Sequence, residues 1–133
     1  MNKLGPLMIA IGLGHALVGI ALFPDPLVAI LREGIINTIQ PPGYAAEPRF
    51  DRIAVFWFLI FSPVFSMLGQ ITSRAIAQGC PDILRVVGWN LLAMGVVGTA
   101  VLPISGNVTL VALAVLILKA ASRVTATPLS TDV

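Results

Sequence analysis

The sequence predicts an all-α integral membrane protein: a bundle of four transmembrane helices with a short amphipathic helix between the first two. Three observations predict it. Residues 4–24, 53–73 and 86–118 contain no Asp, Glu, Lys or Arg, and the third stretch is long enough to fold back on itself. Charged residues make up 11% of the chain and hydrophobic ones 57%, whereas water-soluble domains carry roughly a quarter charged residues. Mean hydropathy is +0.97. A spanning helix takes about 20 apolar residues, so residues 1–133 are expected to form one membrane domain with no separate soluble part.

The first span is expected over residues 4–23, stopping at Pro24 because the residue before a proline is pushed out of the helical region. Gly5, Gly12 and Gly19 recur every seven residues and, with Ala16, make a thin stripe that lets a neighbouring backbone approach closely. Lys3 ahead of an apolar run imitates a secretory signal. His15 interrupts that run, however, and Phe23-Pro24-Asp25-Pro26 stands where a small-residue cleavage site would be, so an uncleaved first span is expected.

A short helix is expected over 26–39, with Asp25 as N-cap and Pro26 at the first helical position. Leu27, Val28, Leu31, Ile35 and Ile39 would share one face and Glu33, Asn37 and Gln40 the other. The segment is too short to span, so it lies in the interface or dips in as a re-entrant lid, and Pro41-Pro42-Gly43 ends it.

The second span is expected over 52–78, capped by Asp51, stopped by Gly79 and kinked near Phe61 and Ser62 by Pro63. The third, over 83–102 with Asp82 as cap, carries Gly88, Gly95, Gly98 and Thr99 as small packing positions. A tight turn from Pro103 to Asn107 leads to the fourth span, 108–123, where Lys119 can snorkel to the interface. From Thr125 the tail is polar.

With four crossings, Lys3, Arg74, Arg85, Lys119 and Arg123 collect on one side and Arg32, Arg49 and Arg52 on the other, which puts both termini of a multi-pass protein in the cytoplasm. The net charge of +2 is scattered, with no basic block of the kind that binds nucleic acid. Cys80 is the only cysteine and His15 the only histidine, so no intrachain disulfide, two-histidine metal motif or bis-histidine haem can form, and no metal or cofactor is expected. No glycine loop cradles a phosphate. A Ser-His-Asp arrangement could use only His15, at a depth poorly supplied with hydrolytic water.

Polar groups inside a bilayer are costly and therefore candidates for function. They are His15, Asn90 and Gln70, with Ser62, Ser66 and Thr99 as weaker members. His15 lies three residues after Gly12 and four before Gly19, which points it toward the bundle. Counting depth at about 1.5 Å per residue puts Asn90 within one to two turns of it, close enough for a shared polar pocket. The plainer reading is that both residues glue helices together by hydrogen bonds.

On the short helix, Glu33 and Asn37 could close over the outer mouth of the bundle, opposite Asp51, Arg52 and Trp57. A carboxyl held there against an apolar cavity would have a raised pKa suited to proton transfer. The plainer reading is a charged face meeting water and headgroups. Trp57, Trp89 and Tyr44 are also candidate interface anchors.

The pattern Gly12-Leu-Gly-His15-Ala-Leu-Val-Gly19, then Phe23-Pro-Asp-Pro, Arg32-Glu33-Gly34 through Asn37, and Phe56-Trp57-Phe58 resembles an uncharacterised family of small four-helix bacterial membrane proteins, and more distantly the DoxX-like proteins. The resemblance covers about residues 5–118 and implies a fold without an agreed activity. The small multidrug exporters are similar in length and helix number, but their first-helix carboxylate has no counterpart here.

Two expectations follow. In the first, a pocket between helices binds a small hydrophobic molecule and isomerises or cyclises it, with His15 and Glu33 handling protons while Asn37, Asp51, Trp57 and Asn90 position the ligand. In the second, a non-catalytic bundle oligomerises, or serves as an accessory subunit, through its glycine-rich faces. A small transporter ranks third, because the spans lack the charge usually needed to couple an ion.

Overall fold

The computed structural model describes residues 3–36, 38–39, 48–103 and 106–125. The chain is all-α, with helices α1 (Leu4–Leu22), α2 (Pro24–Glu33), α3 (Phe50–Ala77), α4 (Pro81–Val101) and α5 (Asn107–Thr125). Four of them, α1, α3, α4 and α5, are long and apolar enough to cross a membrane. Asn37, Gln40, the Pro41-Pro42-Gly43 terminator, Tyr44 and the tail beyond Thr125 lie outside the described residues.

The helix starts differ from expectation in one consistent way. Asp25 and Asp82 do not cap α2 and α4. The N-caps are Phe23 and Cys80, neither with a side-chain cap hydrogen bond, and Pro24 and Pro81 open the helices. Proline's fixed φ suits the first helical position and its missing N–H is an orphan there anyway, so it takes that position and moves the following aspartate into the first turn. There the carboxylate still complements the positive helix end. Asp51 likewise falls inside the first turn of α3, which begins at Phe50.

The short helix is also earlier and shorter than the 26–39 expected, because Gly34 adopts φ +93 and ends it. Ile35 and Ile36 then lie beyond the helix and are exposed, and the buried residue of α2 is Ile30 rather than Leu31. By contrast, the α3 stop at Gly79 is as expected. With φ +66 at Gly79, the Gly79 N–H donates to Ile76 O (3.3 Å) and the Cys80 N–H to Ala75 O (2.9 Å), the paired bonds of a Schellman motif. Pro63 sits within an uninterrupted α3.

The chain divides into two compact units, Met8–Met67 and Met1–Leu7 with Leu68–Val133. In the first, α1 packs on the first part of α3 through its glycines. A Cβ at Gly12 would lie 2.8 Å from Ser62 O and 2.9 Å from Phe65 Cβ, and one at Gly19 2.5 Å from Phe58 Cβ. In the second, α4 and α5 pack along their length around Leu84, Leu91, Leu113 and Ile117. A Cβ at Gly88 would meet Leu118, at Gly95 the Val111 backbone nitrogen at 2.9 Å, and at Gly98 the Asn107 amide. Gly5 makes the same kind of close approach to Gly69 O, at 2.5 Å. The glycine stripe is thus an intrachain packing face, and each of these positions is occupied by the chain's own helices.

Candidate functional site

The Met8–Met67 unit holds His15, Glu33, Asp51, Arg52 and Trp57 of the residues that the sequence singled out, and its polar and aromatic groups form two layers. The inner layer is built around His15, near the middle of α1. Its ring stacks on Phe58 with centroids 4.5 Å apart and planes 18° from parallel, and Phe61 presents an edge at 6.0 Å. Phe23 flanks Phe58 at 5.7 Å, and Trp57 lies 6.0 Å from Phe61. The wall follows from spacing: Phe58, Phe61 and Phe65 stand at i, i+3 and i+7 on one face of α3, and Gly12 and Gly19 bring α1 close enough for the imidazole to lie flat on it.

His15 is half-buried, and its nitrogens make no hydrogen bond among the described residues. Nor are they sealed off, since Thr99 Oγ1 is the one buried side-chain polar atom left without a partner among the described residues. Trp57 is half exposed, which leaves one side of the aromatic wall open.

The outer layer ties α2 to α3. Arg52 is only 8% exposed and presents its guanidinium fork to Glu33, with Nη1 donating to Oε2 and Nη2 to Oε1, both at 2.7 Å. Such bidentate pairs fix orientation as well as charge. The same Nη1 donates to the Thr38 carbonyl at 2.8 Å, and Arg49 adds a further bond to Glu33 Oε2 at 3.2 Å. Thr38 Oγ1 in turn donates to Gly34 O, so the chain leaving α2 is fastened on both sides of its left-handed glycine.

The Glu33 carboxyl is consequently held at about 2, well below its ordinary 4.5, first by the Arg52 hydrogen bonds and then by the charges of Arg52 and Arg49. This is opposite to the elevation expected for a carboxyl beside an apolar cavity. Two guanidinium groups outweigh the partial desolvation, and at neutral pH Glu33 is an anion.

Of the other expected site residues, Asp51 is exposed in the first turn of α3. Asn90 belongs to the other unit, where its Nδ2 donates to Val86 O of its own helix at 2.8 Å. Asn37 is outside the described residues. No cluster of three or more His, Cys, Asp or Glu side chains that could hold a metal occurs among the described residues. Sequence reasoning missed Phe58 and Phe61 as the platform for His15, and Arg49 as the second partner of Glu33. The i, i+3, i+7 aromatic spacing carried the first signal; the second depends on how the chain returns from α2, which no local pattern encodes.

Residues 1–124 match the family described as "Family of unknown function (DUF6463)". No curated protein and no solved structure shows significant similarity to the chain, so the more distant likeness to DoxX-like proteins is not carried by either comparison.

Proposed function

We propose that this chain, which belongs to the DUF6463 family of unknown function, binds a small hydrophobic molecule bearing a hydrogen-bonding group within the membrane, with His15 as its polar contact. The observation that carries this reading is an imidazole near the middle of an apolar helix, stacked 4.5 Å from Phe58, whose nitrogens have no hydrogen-bond partner among the described residues. In hydrocarbon an unsatisfied polar group is costly. A ligand donor or acceptor at that nitrogen removes the cost, and Phe58, Phe61 and Trp57 supply an apolar wall for the rest of the molecule.

The reaction class a single imidazole can carry is proton relocation, an isomerisation in which one nitrogen takes a proton from one carbon and returns it to another. Glu33, ionised and forked to Arg52, acts in this reading as the latch that holds α2 over α3 rather than as a proton donor. A cyclisation that needs an acid at a second point is accordingly the less favoured chemistry. The glycine faces pack on the chain's own helices, which makes a non-catalytic bundle assembling through them the second reading. In the orientation we favour, both termini face the cytoplasm; a reporter fused after Val133 and found outside would reverse it.

The test uses full-length protein extracted in mild detergent and the apolar molecules that leave with it, read by mass spectrometry. His15→Phe keeps a flat ring on Phe58 and removes the nitrogens. Wild type should retain a heteroatom-bearing apolar compound near one per chain, and His15→Phe should retain about tenfold less, the loss of a hydrogen bond left unmade in a dry site, with its melting temperature preserved. Wild type that retains nothing, or equal retention in a folded His15→Phe, overturns the reading.

A further inference from the structure

In the unit formed by Met1–Leu7 and Leu68–Val133, a groove of about 780 Å³ runs between the first turns of α1 and the last turns of α5. Its lining is polarised along the helix axes. On α5, Leu116, Lys119 and Arg123 lie at i, i+3 and i+7 and so share a face; on α1, Lys3 precedes Leu4 and Leu7. Both helices therefore place cations at the same end of the groove and leucines deeper along it. Among the described residues, no acidic side chain lines the groove, and Lys3 and Lys119 form no ion pair. Leu7 and Leu116 are 43% and 46% exposed, so the deeper part presents apolar surface to whatever fills it.

We propose that this groove is a binding site for an anionic phospholipid, with the phosphate at Lys3 and Lys119 and the start of an acyl chain along Leu4, Leu7 and Leu116. Two lysines, one at the start of α1 and one near the end of α5, that form no ion pair among the described residues call for an anion, and the apolar floor calls for a hydrocarbon chain attached to it. A soluble phosphate would satisfy the first and leave the second uncovered. The volume lies in the range of small-molecule sites, and the remaining lipid extends into the bilayer. This site shares no residue with the His15 layer, so either proposal can fail without the other.

The experiment is native mass spectrometry of the full chain from nanodiscs containing phosphatidylglycerol and phosphatidylcholine in equal amounts. Wild type should retain phosphatidylglycerol with about tenfold preference or more, and removal of cations should lower that preference by about fivefold for each. From a tenfold preference, Lys119→Gln should therefore leave about twofold, and Lys3→Gln with Lys119→Gln should abolish the preference. Lys3→Gln, on a different helix, gives an independent single-cation reading should the double variant fail to fold. Arg74→Gln removes an exposed cation at the end of α3 that does not line the groove, and should leave the preference unchanged.

The proposal is overturned by a wild type without preference, by folded groove variants that keep it, or by an equal loss in Arg74→Gln, which would signal a diffuse charge field. Displacement of the bound lipid by millimolar inorganic phosphate or glycerol phosphate would also overturn it, by assigning the site to a soluble anion.

Discussion

The α1–α3 packing and the α4–α5 packing solve the same problem with different residues. Both bring helices together over glycine: Gly12 and Gly19 in the first, Gly88, Gly95 and Gly98 in the second. In α4–α5 the space is filled by Leu118, Val111 and Asn107, and Asn90 Nδ2 donates to Val86 O of its own helix. In α1–α3 the close approach serves instead to lay an imidazole on a phenyl ring, and among the described residues its nitrogens have no hydrogen-bond partner. The first region also carries the Glu33–Arg52 fork, whereas α4 carries an exposed bridge from Arg85 to Asp82 within its own first turns. The lesson is that tight packing alone does not separate a structural interface from a candidate site. The separation comes from whether an unpaired polar group can be reached: among the described residues Thr99 Oγ1 on α4 is buried without a partner, whereas the imidazole stands beside an aromatic wall that the half-exposed Trp57 leaves open on one side.

The comparison breaks most sharply at the glycines. Gly12→Leu and Gly95→Leu each drive a side chain against backbone atoms under 3.0 Å away, and overpacking of this kind costs about 1–3 kcal/mol or more. Both should lower the melting temperature in detergent markedly, while Gly14→Ala, with nothing within 4 Å of its Cβ, should leave it close to wild type. Equal tolerance at all three would mean that neither contact holds the fold.

The charged fork gives a smaller, pH-dependent effect. Because the Glu33 carboxyl is lowered from 4.5 to about 2 on folding, the latch is fully present above pH about 4.5 and is lost as pH falls toward 2. A spin label at Val28→Cys in a Cys80→Ser background should report an immobilised α2 above that range and growing mobility through it. In Arg52→Met the label should be mobile at every pH. Smallest of all, Asn90→Ala removes an exposed bond to its own helix and should shift stability by less than about 1 kcal/mol, with no change in what co-purifies. A large effect there would erase the distinction between the two regions.

The four long helices were legible because a missing charge over some twenty residues is a strong, local signal, and the glycine spacing named the packing faces for the same reason. The start of each helix was misplaced where proline and aspartate are adjacent, since both residues favour helix N-termini and only backbone geometry decides which takes the first position. For the site, depth along α1 located His15, and the amphipathic segment brought Glu33 opposite Arg52. Neither the sign of the Glu33 shift nor the phenyl platform was legible. The first depends on a fork formed across 19 positions of sequence, and the second on the rotation of α3 about its axis.

One local feature couples two of the long helices. Only Gln78, Gly79 and Cys80 separate α3 from α4, and the Schellman bonds leave that link no slack. Two apolar rods so joined are not independent: the residue at which the first stops fixes where the second begins.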